Sequence, residues 1–211
     1  TFTLSRVVPG GPWMKGAEIP LSDAQVAAFK AKYGLDQPVW RQYLTWLGNA
    51  LTLDFGYTFT EPERTVTELI RSALPFSALV GGLAALLAIS LGIVLGVIAA
   101  ANQDTWIDNI VTSYAVFMST IPSFVLGFVL VYFFSVKLRW FPAGSWGDPN
   151  DWRDVAHHIA LPVIAFGVPA TGGVARWTRQ CVAEAMASDY VRTAYSKGLR
   201  ASGVMSRHVL R

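Results

Sequence analysis

The chain has 211 residues, of which 53% are hydrophobic and 15% charged, whereas an ordinary soluble domain has roughly a quarter of its residues charged. The net charge of +3 is unevenly placed: residues 157–211 hold seven Lys and Arg against two acids, while residues 1–71 balance and residues 72–110 hold two acids and no base. That composition points away from a soluble catalytic domain, and the lone Cys181 excludes an intrachain disulfide and reads as a small packed side chain.

Residues 1–71 read as a segment outside the bilayer. No removable leader pattern of basic residues, apolar core and cleavage site is visible. Ser22 suits a helix cap over Asp23 to Tyr33, with Gly34 as its left-handed stop, and Pro38 suits the first turn of a second helix. In that second helix Trp40, Tyr43, Leu44, Leu47 and Leu51 recur at helical spacing opposite Arg41, Gln42 and Asn49. Such a stripe fits either the headgroup layer of a membrane or packing against membrane-spanning helices.

Residues 72–175 carry three uncharged runs, Ser72–Gln103, Asn109–Val136 and Val155–Ala175; a bilayer-spanning helix needs about 20 apolar residues. Spans are expected at about 76–101, 111–136 and 156–175. The first holds Gly81, Ala85, Ala88, Gly92, Gly96 and Ala99 at steps of three or four, a smooth stripe on which another helix can pack closely. The second contains "STIPSF", where Pro122 removes a backbone donor and is expected to kink the helix, with Ser119, Thr120 and Ser123 available to the freed carbonyls. The third is expected to bend at Pro162 and Pro169, near Gly167, Gly172 and Gly173. Ser77, Ser90, Ser119, Ser123 and Thr171 either line a pathway or satisfy carbonyls in a packed bundle. Between the second and third spans, "LRWFPAGSWGDPNDWRD" reads as turns at a membrane surface anchored by aromatics.

Chemistry-bearing motifs are sparse. There is no G-x-x-x-x-G-K-[ST] loop for nucleotide phosphates and no G-x-S-x-G or H-E-x-x-H, so no catalytic site and no bound cofactor are expected. The first two uncharged runs lack the acid, base or histidine that ion-coupled carriers hold in the membrane. The adjacent His157 and His158 point about 100° apart on a helix, which argues against joint metal ligation.

The basic segment 176–211 is expected on the cytoplasmic side, because Lys and Arg accumulate there; residues 1–71 then lie outside. The acidic turn at Asp104 and Asp108 sits awkwardly with this, being inside yet without a base. Within the segment, Ser188 or Asp189 can cap a helix over Tyr190 to Lys197, and Gly198 stops it. At about two turns that helix needs packing to persist. Tyr190 with Ala194 and Val191 with Tyr195 are expected to form one apolar face, with Arg192, Thr193, Ser196 and Lys197 turned elsewhere. A second helix begins near Ser202. Buried aromatics rimmed by Arg suit a protein partner's groove.

"DYVRTAYSKGL…RHVLR" resembles the cytoplasmic loop of bacterial binding-protein-dependent ABC transporter permeases of the dipeptide, oligopeptide and nickel subfamily. "VVPGGP", "YGLDQPVWRQYLTWL", "DFGYTF", "LIRSALPFSALVGG", "STIPSF" and "ALPVIAFG" follow that family's order over nearly the whole chain. The resemblance implies an all-α polytopic bundle in the bacterial inner membrane, and a coupling helix that docks in a cytoplasmic ATPase subunit. The residues it implies for that coupling are Tyr190, Val191, Arg192, Thr193, Ala194, Tyr195, Lys197 and the hallmark Gly198. Arg192, Thr193 and Ala194 stand where other permeases have Glu-Ala-Ala, so Arg192 is a departure; the Glu184–Met186 triplet is too far from the glycine to substitute. The resemblance further implies a span before Thr1 and more after Arg211, a second related permease, two ATPase subunits that use ATP, and an extracytoplasmic solute-binding protein. A contrasting reading, from the residues alone, is a membrane-anchored surface protein whose basic tail binds anionic lipid. Attachment to three spans argues against nucleic acid as the partner.

Overall fold

A computed structural model describes residue 2 and residues 23–57, 64–199 and 201–205, with the side chains of residues 23, 29, 32, 195, 201 and 202 left aside. Among the described residues the chain is helical, and the β pairing found is an isolated bridge, Tyr57 with Thr65. Chain contacts divide it into two units, Thr1–Pro75 and Phe76–Arg211.

In the first unit, α1 (Asp23–Lys32) ends where Gly34 adopts φ +63 and the Leu35 amide donates to the Lys30 carbonyl, the left-handed stop that only glycine takes without strain. Ser22, expected as its cap, lies outside the described residues. Helix α2 (Val39–Leu51) begins directly after Pro38. The Gln42 amide donates to the Gln37 carbonyl at 2.7 Å and the Leu35 carbonyl at 3.3 Å, tying the turn to the helix. No residue of α2 is buried in the structure, and Trp40, Tyr43, Leu44 and Leu51 are exposed. Ahead of α3 (Val66–Ala101), Thr65 and Glu68 form a reciprocal capping box: the Glu68 amide donates to Thr65 Oγ1 and the Thr65 amide to Glu68 Oε2, both at 3.1 Å. That box starts the helix ten residues before the expected span, and Pro75 is carried inside it.

The second unit is built on α6 (Trp152–Met186), against which α3, α4 (Trp106–Thr120) and α5 (Ser123–Leu130) pack. A π-helical turn, Val131–Lys137, continues α5. Helices α3 and α6 are each long and apolar enough to cross a membrane, and α4 with α5 and its π-helical continuation makes a third candidate, a broken span or re-entrant loop bent by 93°. The break falls at Ile121 and Pro122. Ile121 is extended (φ −77, ψ 120), as a residue before proline tends to be. The hydroxyls of Ser119 and Thr120, expected to serve the freed carbonyls, instead donate one turn back inside α4, to the Ala115 carbonyl at 2.5 Å and the Val116 carbonyl at 2.9 Å.

Pro162 and Pro169, expected as kinks, lie inside a helix that continues through both. Each removes one backbone donor, a loss that neighbouring helices can offset in a packed bundle. Helix α6 is held over this stretch by close approaches on two sides. A Cβ added at Gly167 would lie 3.0 Å from the Ala84 carbonyl oxygen of α3, and one at Gly172 would collide with the Ala115 carbonyl oxygen of α4.

The small-residue stripe of α3 is also corrected. Ala88, Gly92 and Gly96 are buried as expected, but Gly81 and Ala85 are exposed and the stripe continues through Ala84 and Val80. The buried positions 80, 84, 88, 92 and 96 step by four, so the row winds about 40° per step around α3, while Gly81 and Ala85 lie about 100° from their buried neighbours Val80 and Ala84. At Gly92 a Cβ would lie 2.5 Å from Val174 Cβ, and at Gly96 2.5 Å from Thr178 Cβ and 2.6 Å from the Ala175 carbonyl oxygen. Both glycines therefore set the approach of the two backbones.

The aromatic connection before α6 folds onto that helix. Gly147 (φ +75) sits so close to α6 that a Cβ would lie 2.6 Å from Asp154 Oδ2, and the Asp148 amide donates to that same oxygen at 2.6 Å. Asp151 caps α6, accepting from the Arg153 amide.

Candidate functional site

Helix α6 ends at Met186, and a single turn leads into α7 (Asp189–Ser196), then α8 (Ala201–Val204). The turn is closed by the Ser188 hydroxyl, which donates to the Ala185 carbonyl at 2.5 Å, while the Ser188 carbonyl accepts the Arg192 amide at 3.2 Å and opens α7. Asp189 lies in its first turn, favourably placed against the positive end of the helix. At the other end Gly198 adopts φ +80, and the Leu199 amide reaches back to the Ala194 carbonyl at 3.4 Å.

The face expected to be uniformly apolar is split. Val191 (1% exposed) and Ala194 (4%) are buried together with Val204 (0%) of α8, so these side chains hold the loop to itself. Tyr190, expected beside Ala194, is 54% exposed and stands on the outer surface. Arg192, Thr193, Lys197 and Gly198 are exposed with it, and Arg192 lies 3.8 Å from Asp189. The side chain of Tyr195 lies outside those described. The geometry thus separates an inward pair that gives the loop its shape from an exposed tyrosine, with Lys197 two turns along the same side and Arg192 on the opposite side of the helix. Such a short helix owes its persistence to the Val191–Ala194–Val204 cluster rather than to its own propensity.

Just upstream, α6 is fixed to α4 by a contact that sequence reading did not find. Arg179 donates from Nε to Asp108 Oδ1 at 2.6 Å and from a terminal nitrogen to Oδ2 at 2.5 Å, a bidentate pair of the strong, geometrically specific kind. Asp108 also accepts from the Asp104 amide at 3.1 Å and the Thr112 hydroxyl at 3.3 Å. The acidic turn therefore has its base after all, supplied from 71 residues away. The signal was present: an acid opening one span and an Arg closing an antiparallel one belong at the same end of a bundle. Further along the same seam Tyr114 and the fully buried Thr171 share a hydrogen bond of 3.1 Å, and Thr171 also donates to the Val168 carbonyl.

The two histidines do separate jobs. His157 Nε2 lies 2.6 Å from the Trp140 carbonyl oxygen, and His158 Nδ1 lies 2.8 Å from the Asp154 carbonyl oxygen. Among the described residues no group of His, Cys, Asp and Glu is placed to hold a metal.

Comparison with known proteins gives the setting. Residues 92–211, which include α6, α7 and α8, match the model of the "Binding-protein-dependent transport system inner membrane component" family. Over its full length the chain is 36% identical to the oligopeptide transport system permease protein OppB of Haemophilus influenzae, of which it covers 67%. It is 35% identical to the dipeptide transport system permease protein DppB of Bacillus subtilis (66% covered) and to the OppB protein of Escherichia coli K12 (67% covered). The chain thus spans about two thirds of the length of the curated relatives it matches. With helices apolar enough to span a membrane, a small-residue bundle and a short basic loop at one end, it belongs to the family of inner-membrane permease components of binding-protein-dependent transport systems.

Proposed function

We propose that the chain is part of a membrane-spanning subunit of an ATP-driven importer of peptides, and that α7 is the element through which a separate cytoplasmic ATPase drives it. The observation carrying this reading is the divided surface of α7: Val191 and Ala194 are spent on internal packing, while Tyr190 is left exposed on the side that also carries Thr193 and Lys197. An exposed aromatic on a two-turn helix held by its own buried cluster is what a partner's cleft can grip. The relatives are named as oligopeptide and dipeptide transport permeases, which supports peptides as cargo. A second, related permease subunit and an extracytoplasmic solute-binding protein complete the assembly, with cargo passing between the two permeases. ATP is bound and hydrolysed by the ATPase partner.

The test is Tyr190→Asp in the full-length transporter, reconstituted with its partner subunits in liposomes. Loss of an aromatic anchor at a helix-in-groove contact costs about 2 kcal/mol or more, so ATP hydrolysis stimulated by loaded binding protein and peptide uptake are expected to fall together while membrane insertion is unaffected. Ala194→Asp is the contrast: it places a charge in the buried cluster and is expected to open the loop itself, seen as protease nicking between residues 187 and 204. Undiminished uptake by Tyr190→Asp with an intact loop overturns the docking reading.

A further inference from the structure

Helix α6 carries two arginines one turn apart with different surroundings. Arg179 is neutralised by Asp108. Arg176 is exposed, and the bond found for it is to a neutral group, the Ser119 hydroxyl at 3.3 Å; no carboxylate among the described residues lies within ion-pair distance of it. Its side chain runs back towards the N-terminus of α6, as helical side chains do. A long cationic side chain near the end of a membrane helix ordinarily stretches outward, towards water and headgroups. Ser119 lies instead at the level of Gly172, one turn deeper, since a Cβ at Gly172 would be 2.8 Å from Ser119 Oγ. The guanidinium therefore reaches back into the uncharged run Val155–Ala175, away from the charged end where Asp108 and Arg179 meet.

Ser119 stands at the end of α4, immediately before Ile121 and Pro122, where the middle span turns through 93°. Irregular backbone at membrane depth is tolerated only against protein or a water-filled cavity, and in secondary transporters such broken spans form the cargo site. An ionised side chain aimed at such a break, with one hydrogen bond found among the described residues, is placed to meet an anion that comes and goes.

We propose that Arg176 is a cargo-contact residue whose guanidinium binds the terminal carboxylate of a peptide passing the break in the middle span; this rests on the reading of the chain as a peptide permease. The carboxylate is the one anionic group that every unmodified peptide carries whatever its sequence, and guanidinium matches it through two parallel hydrogen bonds. A single exposed cation tethered by one long bond to a hydroxyl suits passage, since it holds cargo without trapping it.

The test uses the full-length transporter with its partner subunits in liposomes. Uptake of a neutral-side-chain tripeptide is compared with uptake of its C-terminal amide, each at a concentration that saturates the binding protein. Wild-type uptake of the free acid checks the peptide-permease reading by itself; its absence would overturn that reading, whatever Arg176 does. For the contact proposed here, Arg176→Gln is expected to lower free-acid uptake about tenfold, the worth of one charge-assisted contact, and to leave amide uptake unchanged. Arg176→Lys is expected to recover part of the difference. ATP hydrolysis stimulated by loaded binding protein should persist in both variants. Equal loss for acid and amide, or no loss for either, overturns the proposal. So does loss of the second permease subunit on purification of Arg176→Gln, which would assign the guanidinium to a carboxylate across the subunit boundary.

Discussion

The Asp108–Arg179 pair offers the sharpest test of how α6 is held. The Asp108 side chain is 5% exposed and that of Arg179 30%, so their removal should not be symmetrical. Arg179→Ala strands a buried carboxylate with just the Asp104 amide and the Thr112 hydroxyl as donors; breaking a buried pair in this way costs about 3–5 kcal/mol. Asp108→Ala strands a guanidinium that can still reach water, and the cost should be nearer 2 kcal/mol. The double replacement removes the stranded carboxylate together with its partner and should cost less than Arg179→Ala alone, giving a coupling energy of about 2 kcal/mol or more in a double-mutant cycle. The measurement is thermal unfolding of the purified full-length permease in its assembled complex, where Arg179→Ala should lower Tm by about 10 °C if membrane and soluble bundles of this size respond alike. Equal single-mutant losses, or losses that simply add in the double variant, would refute the assignment of Asp108 as the buried, dependent member of the pair.

Glycine replacements should sort by what stands opposite. Gly96→Ala and Gly172→Ala push a methyl into the facing helix and should each lower stability by about 1–3 kcal/mol, whereas Gly173→Ala, with open space around it, should be neutral or slightly stabilising in the same unfolding assay. At Gly198 the obstacle is backbone rather than space: φ is +80 with nothing within 4 Å, so Gly198→Val should strain the end of α7 by about 1–2 kcal/mol. Limited proteolysis of the loop, read beside ATP-coupled uptake, would show both change together; an unchanged cleavage pattern and uptake would remove the need for a left-handed residue there.

Much of this molecule was legible along the chain. The uncharged runs located the membrane segments, because a bilayer demands length and apolarity that nothing else in the sequence supplies. Gly34 and Gly198 marked helix ends because a left-handed stop is a local property of one residue, and "STIPSF" marked the break in the middle span for the same reason. What depended on neighbours was not legible. Pro162 and Pro169 have the same local chemistry as Pro122, yet the helix assignment of α6 continues through them while the middle segment breaks, and α3 and α4 approach α6 closely at Gly167 and Gly172 in that stretch. Steps of three and of four are equally helical on paper, and the position of α6 decided that Ala84 rather than Ala85 faces inward. Helical spacing likewise grouped Tyr190 with Ala194, but the docking of Val204 divided them, turning one into scaffold and the other into surface. The composition settled that this chain lives in a membrane; the pairing of Asp108 with Arg179 and the inward reach of Arg176 were settled by which spans came to lie side by side, since a charge acquires a partner through space and not through sequence.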